Sequence, residues 1–197
     1  MPRRSLVLAS GSSARLRLLQ AAGFAPSVLV SGVDEASVTA PDTATLVCRL
    51  AEAKAEAVLG RAGDAVVVAC DSVLELGGRQ FGKPADDAEA RAWLASMRGR
   101  DGVLHTGHCV VDGRTGRRQV AGATTVVRFG TFDDAELDAY LATGEARQVA
   151  GAFTIDGRSA PFVDGIDGDP GNVIGLSLPL FRRILGDLGL TVMDLWA

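Results

Sequence analysis

Lys54 and Lys83 are the only lysines among the twenty cationic side chains of this 197-residue chain; the rest are arginines. An ammonium is a compact, strongly hydrated point charge suited to phosphate oxygens, whereas a guanidinium is a planar fork. In a chain that otherwise uses arginine, the two lysines mark places where a point charge has a task, unless chance put them there. Lys54 lies in Ala53-Lys54-Ala55 and Lys83 in Gly82-Lys83-Pro84. Ser10-Gly11-Ser12-Ser13, followed by Arg15, joins an apolar run to a helical pattern, where free backbone N–H groups and the helix dipole favour an anion. A helix start capped by serine accounts for the same residues without a ligand.

Asp71 follows Ala65-Val66-Val67-Val68-Ala69-Cys70, a run that reads as a strand covered on both faces. A carboxylate at the C-terminal end of such a strand projects into the crevice where α/β sheets bind ligands. It would hold a divalent cation or take a proton from water; the plainer alternative is a turn aspartate. Asp34-Glu35 adds a second pair of acids, or solvated loop charge. Gly77 to Pro84 nearly matches a P-loop, but proline stands where that motif needs a hydroxyl and an N–H, so the motif is rejected. Val73 breaks an Asp-x-Asp pair. His105 and His108 are three apart on a strand and face opposite ways, so at most one is functional. Asp164, Asp167 and Asp169 lack EF-hand spacing and read as loop.

The bulk numbers bound what these residues can serve. With 47% hydrophobic and 22% charged residues, the chain is globular, one large domain or two closely packed lobes, without an evident linker or repeat. A net charge of −4 argues against nucleic-acid or anionic-membrane binding, so any bound anion meets a local cluster. Cys48, Cys70 and Cys109 suit reduced core thiols. The opening Met1 to Ala9 is too short an apolar run for a secretory signal, and no stretch has transmembrane length, which makes a cytoplasmic protein the expectation.

Elements follow from periodicity and punctuation. Leu6 to Ala9 reads as a strand, and a helix then runs to Gly23. A long helix from Asp42, stopped by Gly60, carries Lys54. The strand before Asp71 precedes a hairpin of Val73–Leu76 and Arg79–Phe81 around Gly77-Gly78. Capping boxes at Asp86/Glu89 and Asp133/Glu136 open helices to about Met97 and Leu141. Between them lies a long hairpin, Val103–Val111 with Arg118–Phe129. A glycine- and acid-rich stretch from Gly151 to Gly175 precedes a last helix from about Pro179 to Leu188.

Taken in order, Ser10-Gly-Ser-Ser-Ala-Arg15, Ala53-Lys54-Ala55, Cys70-Asp71-Ser72-Val73, Gly82-Lys83-Pro84, Thr106-Gly107, Ala150-Gly-Ala-Phe153 with Gly157, and Asn172-Val-Ile-Gly-Leu176 resemble the Maf family of nucleoside triphosphate pyrophosphatases over nearly the whole chain. The resemblance implies a single domain over 1–197 with a two-lobed α/β fold, a mixed, partly antiparallel sheet with flanking helices, and a nucleotide cleft between lobes. It implies hydrolysis of nucleoside triphosphates, modified or non-standard ones among them, to a monophosphate and pyrophosphate. It also brings a link to cell-division arrest, and with it the rival reading of a nucleotide sensor that regulates septum formation without turnover. Carried over by position, Asp71 is the catalytic acid, Glu35 and Asp71 hold Mg²⁺ or Mn²⁺, and Ser10, Ser12, Arg15, Lys54 and Lys83 contact phosphates. The resemblance admits a homodimer, which no apolar stripe in the sequence marks. The family commonly has a proline and a pair of arginines after the serines, whereas here Ser13 and Ala14 leave Arg15 as the one matched arginine, which weakens the clamp or passes part of it to Arg17. Asp156 stands where one branch has an amide; an ionised aspartate only accepts hydrogen bonds, so it would contact a different base edge.

Overall fold

The computed structural model describes residues 3–197; Met1 and Pro2, part of the charged opening, lie outside them. Among the described residues no helix is long and apolar enough to cross a membrane. The chain divides into two compact units, the first built from the chain up to Asp71, Thr106–Ala123 and Gly175–Ala197, the second from Ser72–His105 and Thr124–Ile174.

In the first unit β1 (Leu6–Leu8) pairs in parallel with β2 (Ser27–Val28) and with the start of β3 (Val66–Leu76). The crossovers are α1 (Ser13–Ala21) and α2 (Thr43–Ala62). Side chains alternate across a strand, so β3 sends Val66, Val68 and Cys70 to one face and Val67 and Ala69 to the other. The first set packs with Leu6, Leu8, Leu19 of α1, and Phe181, Ile184 and Leu185 of α6 (Leu178–Asp187). The second packs with Val7, Ala9, and Ala51, Ala55 and Val58 of α2. Helices thus cover both faces of a parallel sheet that is wound in two directions from β1.

In the second unit the end of β3 turns through Gly77-Gly78 into antiparallel β4 (Arg79–Phe81). One apolar cluster joins Leu74, Leu76 and Phe81 to Leu94 and Met97 of α3 (Asp87–Met97), Leu137 and Tyr140 of α4 (Asp134–Leu141), and Phe129 and Phe153. β5 (Asp101–Asp112) and β6 (Arg118–Phe129) give residues to both units, and β7 (Val163–Asp167) pairs antiparallel with β6. The strand order is β2-β1-β3-β5-β6-β7 with β4 on β3, a mixed sheet.

Four expectations need correction. Gly60 does not stop α2, because a glycine inside a helix weakens it without breaking it; the helix ends at Gly63, whose φ of +57° a side chain would resist. Asp71 is not at the end of its strand, since β3 runs on through Asp71 and Ser72 to Leu76. Asp164 and Asp167 belong to β7, an edge strand on which both are exposed, and a short helix, α5 (Pro170–Ile174), follows. Glu89 does not close a box on Asp86: Asp86 caps the Glu89 N–H at 2.8 Å, but the Glu89 carboxylate accepts from Ala85 N at 2.7 Å. The box at Asp133 and Glu136 is complete.

Candidate active site

The C-terminal edge of three parallel strands gathers the candidate residues of the first unit. The N–H of Ala9 donates to Val68 O, and that of Leu29 to Leu8 O, so β1 and β2 end at one level beside the middle of β3, which runs on past them. Beyond that level lie Ser10-Gly11-Ser12 after β1, Glu35 after β2, and Asp71 in β3. An open α/β sheet binds ligands in this place, where the winding changes direction.

Each side chain has a cause for its position. Ser12 caps α1, its Oγ accepting from Arg15 N at 3.3 Å. Ser10 Oγ accepts from Ser12 N at 3.1 Å and from Arg15 Nη1 at 3.2 Å. Arg15 also donates through Nε to Gly175 O at 2.7 Å, so its guanidinium is held at two points. As both serine hydroxyls act as acceptors here, each can still donate its own O–H. Arg17, exposed on α1, donates to Ser13 Oγ at 3.3 Å.

Lys54 sits on the buried face of α2 with 8% of its surface exposed, and Asp71 is 6% exposed. The ammonium forms a short ion pair with Asp71 Oδ1 and a second, at 2.7 Å, with Glu35 Oε1. Glu35 opens a single 3₁₀ turn (Glu35–Ser37) that Asp34 caps by accepting from Ala36 N at 3.2 Å. Burial pushes the Asp71 carboxyl above its usual range; Lys54 and then Arg15 pull it back down, and Glu35 adds to the rise. The pull from Arg15 ties the serine loop to the carboxylate pair electrostatically.

What holds α2 close enough is Gly107 of β5: a Cβ there would overlap the Val47 carbonyl and the Cys48 amide of the helix. Gly175 plays a comparable part for Arg15, since its φ is +117° and a Cβ would lie 2.9 Å from Arg15 Nε. In the sequence both glycines stand in motifs that give them no role of their own. An isolated glycine inside a strand pattern, as at Gly107, is the available sign of close backbone approach.

His108 is a structural residue. Fully buried, its Nε2 accepts from Ser177 N at 2.8 Å and its Nδ1 lies 3.1 Å from Thr106 O, an arrangement that seats the start of α6. His105, in the second unit, has Nε2 3.9 Å from Glu75 Oε2.

Lys83 and Asp156 belong to the second unit. Lys83 follows β4, next to Gly82, whose carbonyl accepts from Gly151 N at 2.8 Å. Asp156 lies exposed in a tight loop: Oδ1 takes a short hydrogen bond from the Thr154 hydroxyl, and Thr154 N donates to buried Ser159 Oγ at 2.8 Å. A Cβ on Gly157 would come 2.6 Å from Glu145 Oε1 and 2.7 Å from the Thr154 methyl, so a side chain there would push the glutamate aside. Asn172 is fully buried and joins α5 to the sheet, Nδ2 donating to Thr125 Oγ1 at 3.0 Å and Leu104 O at 3.3 Å.

No group of three or more His, Cys, Asp or Glu side chains among the described residues is placed to hold a metal ion. Two carboxylates converging on one point nevertheless fit a magnesium-like cation, which takes one or two protein carboxylates and completes its shell with phosphate oxygens and water.

Residues 5–188 match the family described as Maf-like protein. The chain is 62% identical over 198 residues to a nucleoside triphosphate pyrophosphatase of Streptomyces coelicolor, covering 100% of this chain and 96% of that one. Proteins of the same name from Streptomyces avermitilis and a Synechococcus species are 57% and 49% identical, with 99% and 97% of this chain and 96% and 98% of theirs covered. The solved structure of the Staphylococcus aureus Ham1 protein matches 64% of this chain and 72% of that chain, at 16% identity and a TM-score of 0.40, a likeness too slight to bear on the site.

Proposed function

Since the chain belongs to the Maf family, we propose that it is a nucleoside triphosphate pyrophosphatase whose chemistry is centred on Asp71. Water attacks the α-phosphorus, the bond to the bridging oxygen breaks, and a nucleoside monophosphate and pyrophosphate result. The observation that supports this most is the convergence of a buried carboxylate, a second carboxylate, an ammonium and a guanidinium at the ligand-binding edge of the parallel strands.

Asp71 accepts the proton of the attacking water at Oδ2, Oδ1 being the oxygen that holds Lys54 before nucleotide binds. Burial, by raising its basicity, fits it to that task. Asp71 and Glu35 would hold a divalent cation, which would neutralise phosphate charge and favour an ionised water. Arg15 and the hydroxyls of Ser10 and Ser12, backed by the N-terminus of α1, bind phosphate oxygens and steady the charge that grows on the leaving pyrophosphate. Lys54 contributes an ammonium to the same charge. The family resemblance assigns Lys83 a further phosphate contact and Asp156 a contact to the base.

Incubating the purified protein with Mg²⁺ or Mn²⁺ and a panel of common and modified triphosphates, and identifying both products, tests the reading. Monophosphate with pyrophosphate is expected. Diphosphate with inorganic phosphate, or binding with no turnover, overturns it. The panel also reads out base preference, where Asp156→Ala should alter the ranking of bases and Lys83→Ala should lower kcat/KM across all of them.

A further inference from the structure

Lys54 occupies the point between the two carboxylates that a divalent cation would take. Its two ion pairs differ in kind: the side chain of Asp71 is 9% exposed and that of Glu35 is 57% exposed. Water screens the Glu35 contact and lets it break readily, whereas the buried contact cannot open without another anion to receive the ammonium. The local charges also balance. Asp71 and Glu35 contribute two negative charges, Lys54 and Arg15 two positive ones, and Asp71 senses the other three. A divalent ion arriving alone would leave that set with a net charge of two and an ammonium driven from its partner. A polyphosphate arriving with the ion brings the missing negative charge and a new acceptor for Lys54.

We propose that Lys54 is a resident counter-ion that keeps the Asp71–Glu35 pair closed to a divalent cation until polyphosphate draws its ammonium away. The protein therefore loads metal and nucleotide together rather than metal first. This rests on the pyrophosphatase reading for the identity of the ligand; the ion pairs stand apart from it.

The test is Mn²⁺ binding to nucleotide-free protein, followed by electron paramagnetic resonance of the free ion. Lys54→Met should bind Mn²⁺ at least about tenfold more tightly than the wild type, the factor that 1.4 kcal/mol of competition corresponds to. Lys54→Arg, which keeps the charge, should bind as weakly as the wild type. In a Lys54→Met/Glu35→Gln protein the gain should disappear. Equal Mn²⁺ affinity in the wild type and Lys54→Met, or an Arg variant as tight as the Met variant, overturns the proposal.

A fold problem in the Met variant leaves a measurement on the wild type. With two lysines in the chain, ¹⁵N-lysine labelling gives two Nζ signals, and Lys83→Arg assigns them. Mg²⁺ alone should leave the Lys54 signal in place, and Mg²⁺ with a non-hydrolysable triphosphate analogue should move it. Movement with Mg²⁺ alone, or none with both, overturns the proposal. Pyrophosphate release from the same preparation is scored separately, so failure of the metal-closure idea and failure of the activity are told apart.

Discussion

Burial and Lys54 pull the Asp71 carboxyl in opposite directions, and burial prevails. The pH profile of kcat/KM reports the free enzyme, the state in which these contacts are made. Asp71 must be ionised to accept a proton, so kcat/KM should fall as pH drops through a value above the ordinary aspartate pKa of about 3.9. Lys54→Gln removes the largest influence holding that value down and should move the acid limb to higher pH. A limb that stays put would show that another group titrates. Asp71→Asn keeps the shape and discards the charge; turnover should fall by about 100-fold or more while nucleotide binding, read by calorimetry, is mostly kept. The residue types at this site were legible in the sequence, but their pairing was not. Lys54 reads as a phosphate clamp from its neighbours, and nothing in a spacing of seventeen residues shows that its ammonium lies against Asp71. A strand, a helix and the glycine between them create that contact.

The glycines of β5 and α2 separate packing from propensity at the level of elements. Gly107 lets the backbone of α2 rest on the sheet, so Gly107→Ala must push the helix outward. Overpacking of this kind costs about 1–3 kcal/mol, and the upper end is expected where backbone meets backbone. Urea unfolding should show the loss, and kcat/KM should fall with it, because the same helix carries Lys54. Gly60, inside α2 with nothing within 4 Å of its Cβ position, makes the contrast. Gly60→Ala should stabilise by about 0.5–1 kcal/mol and leave kcat/KM unchanged. Helix starts were the most legible elements, because a cap is a local bond: Asp42, Asp86 and Asp133 all accept where their spacing indicates. β2 has two residues and no period to detect. The end of β3 was hidden because Asp71 and Ser72 interrupt an apolar run, and the partner that makes a buried Asp71 tolerable inside a strand, Lys54, comes from α2.

Neither unit of the molecule is contiguous in sequence, so each depends on contacts closed over long stretches of chain. The buried pair of Arg4 and Asp112 closes one of 108 residues. Arg4 donates to Asp112 and, at 2.9 Å, to Asp64 O, tying the strand that begins the fold to the β5–β6 turn. Asp112 also accepts from the Thr115 hydroxyl at 2.8 Å and Arg114 N at 3.2 Å. Burial alone would raise its carboxyl pKa, but the bonds from Arg4, Thr115 and Arg114 outweigh that and lower it. A folded-state pKa below the unfolded value contributes stability that is present above about pH 3.9 and is lost as pH falls through the lowered value. Asp112→Asn should therefore cost about 3 kcal/mol near neutral pH, the scale of a buried pair deprived of one partner. Urea unfolding of the two proteins from pH 7 down to pH 2 should show the gap narrowing only below about pH 4, as protonation makes the wild type resemble the variant. A gap independent of pH would mean that Asp112 acts through shape rather than charge.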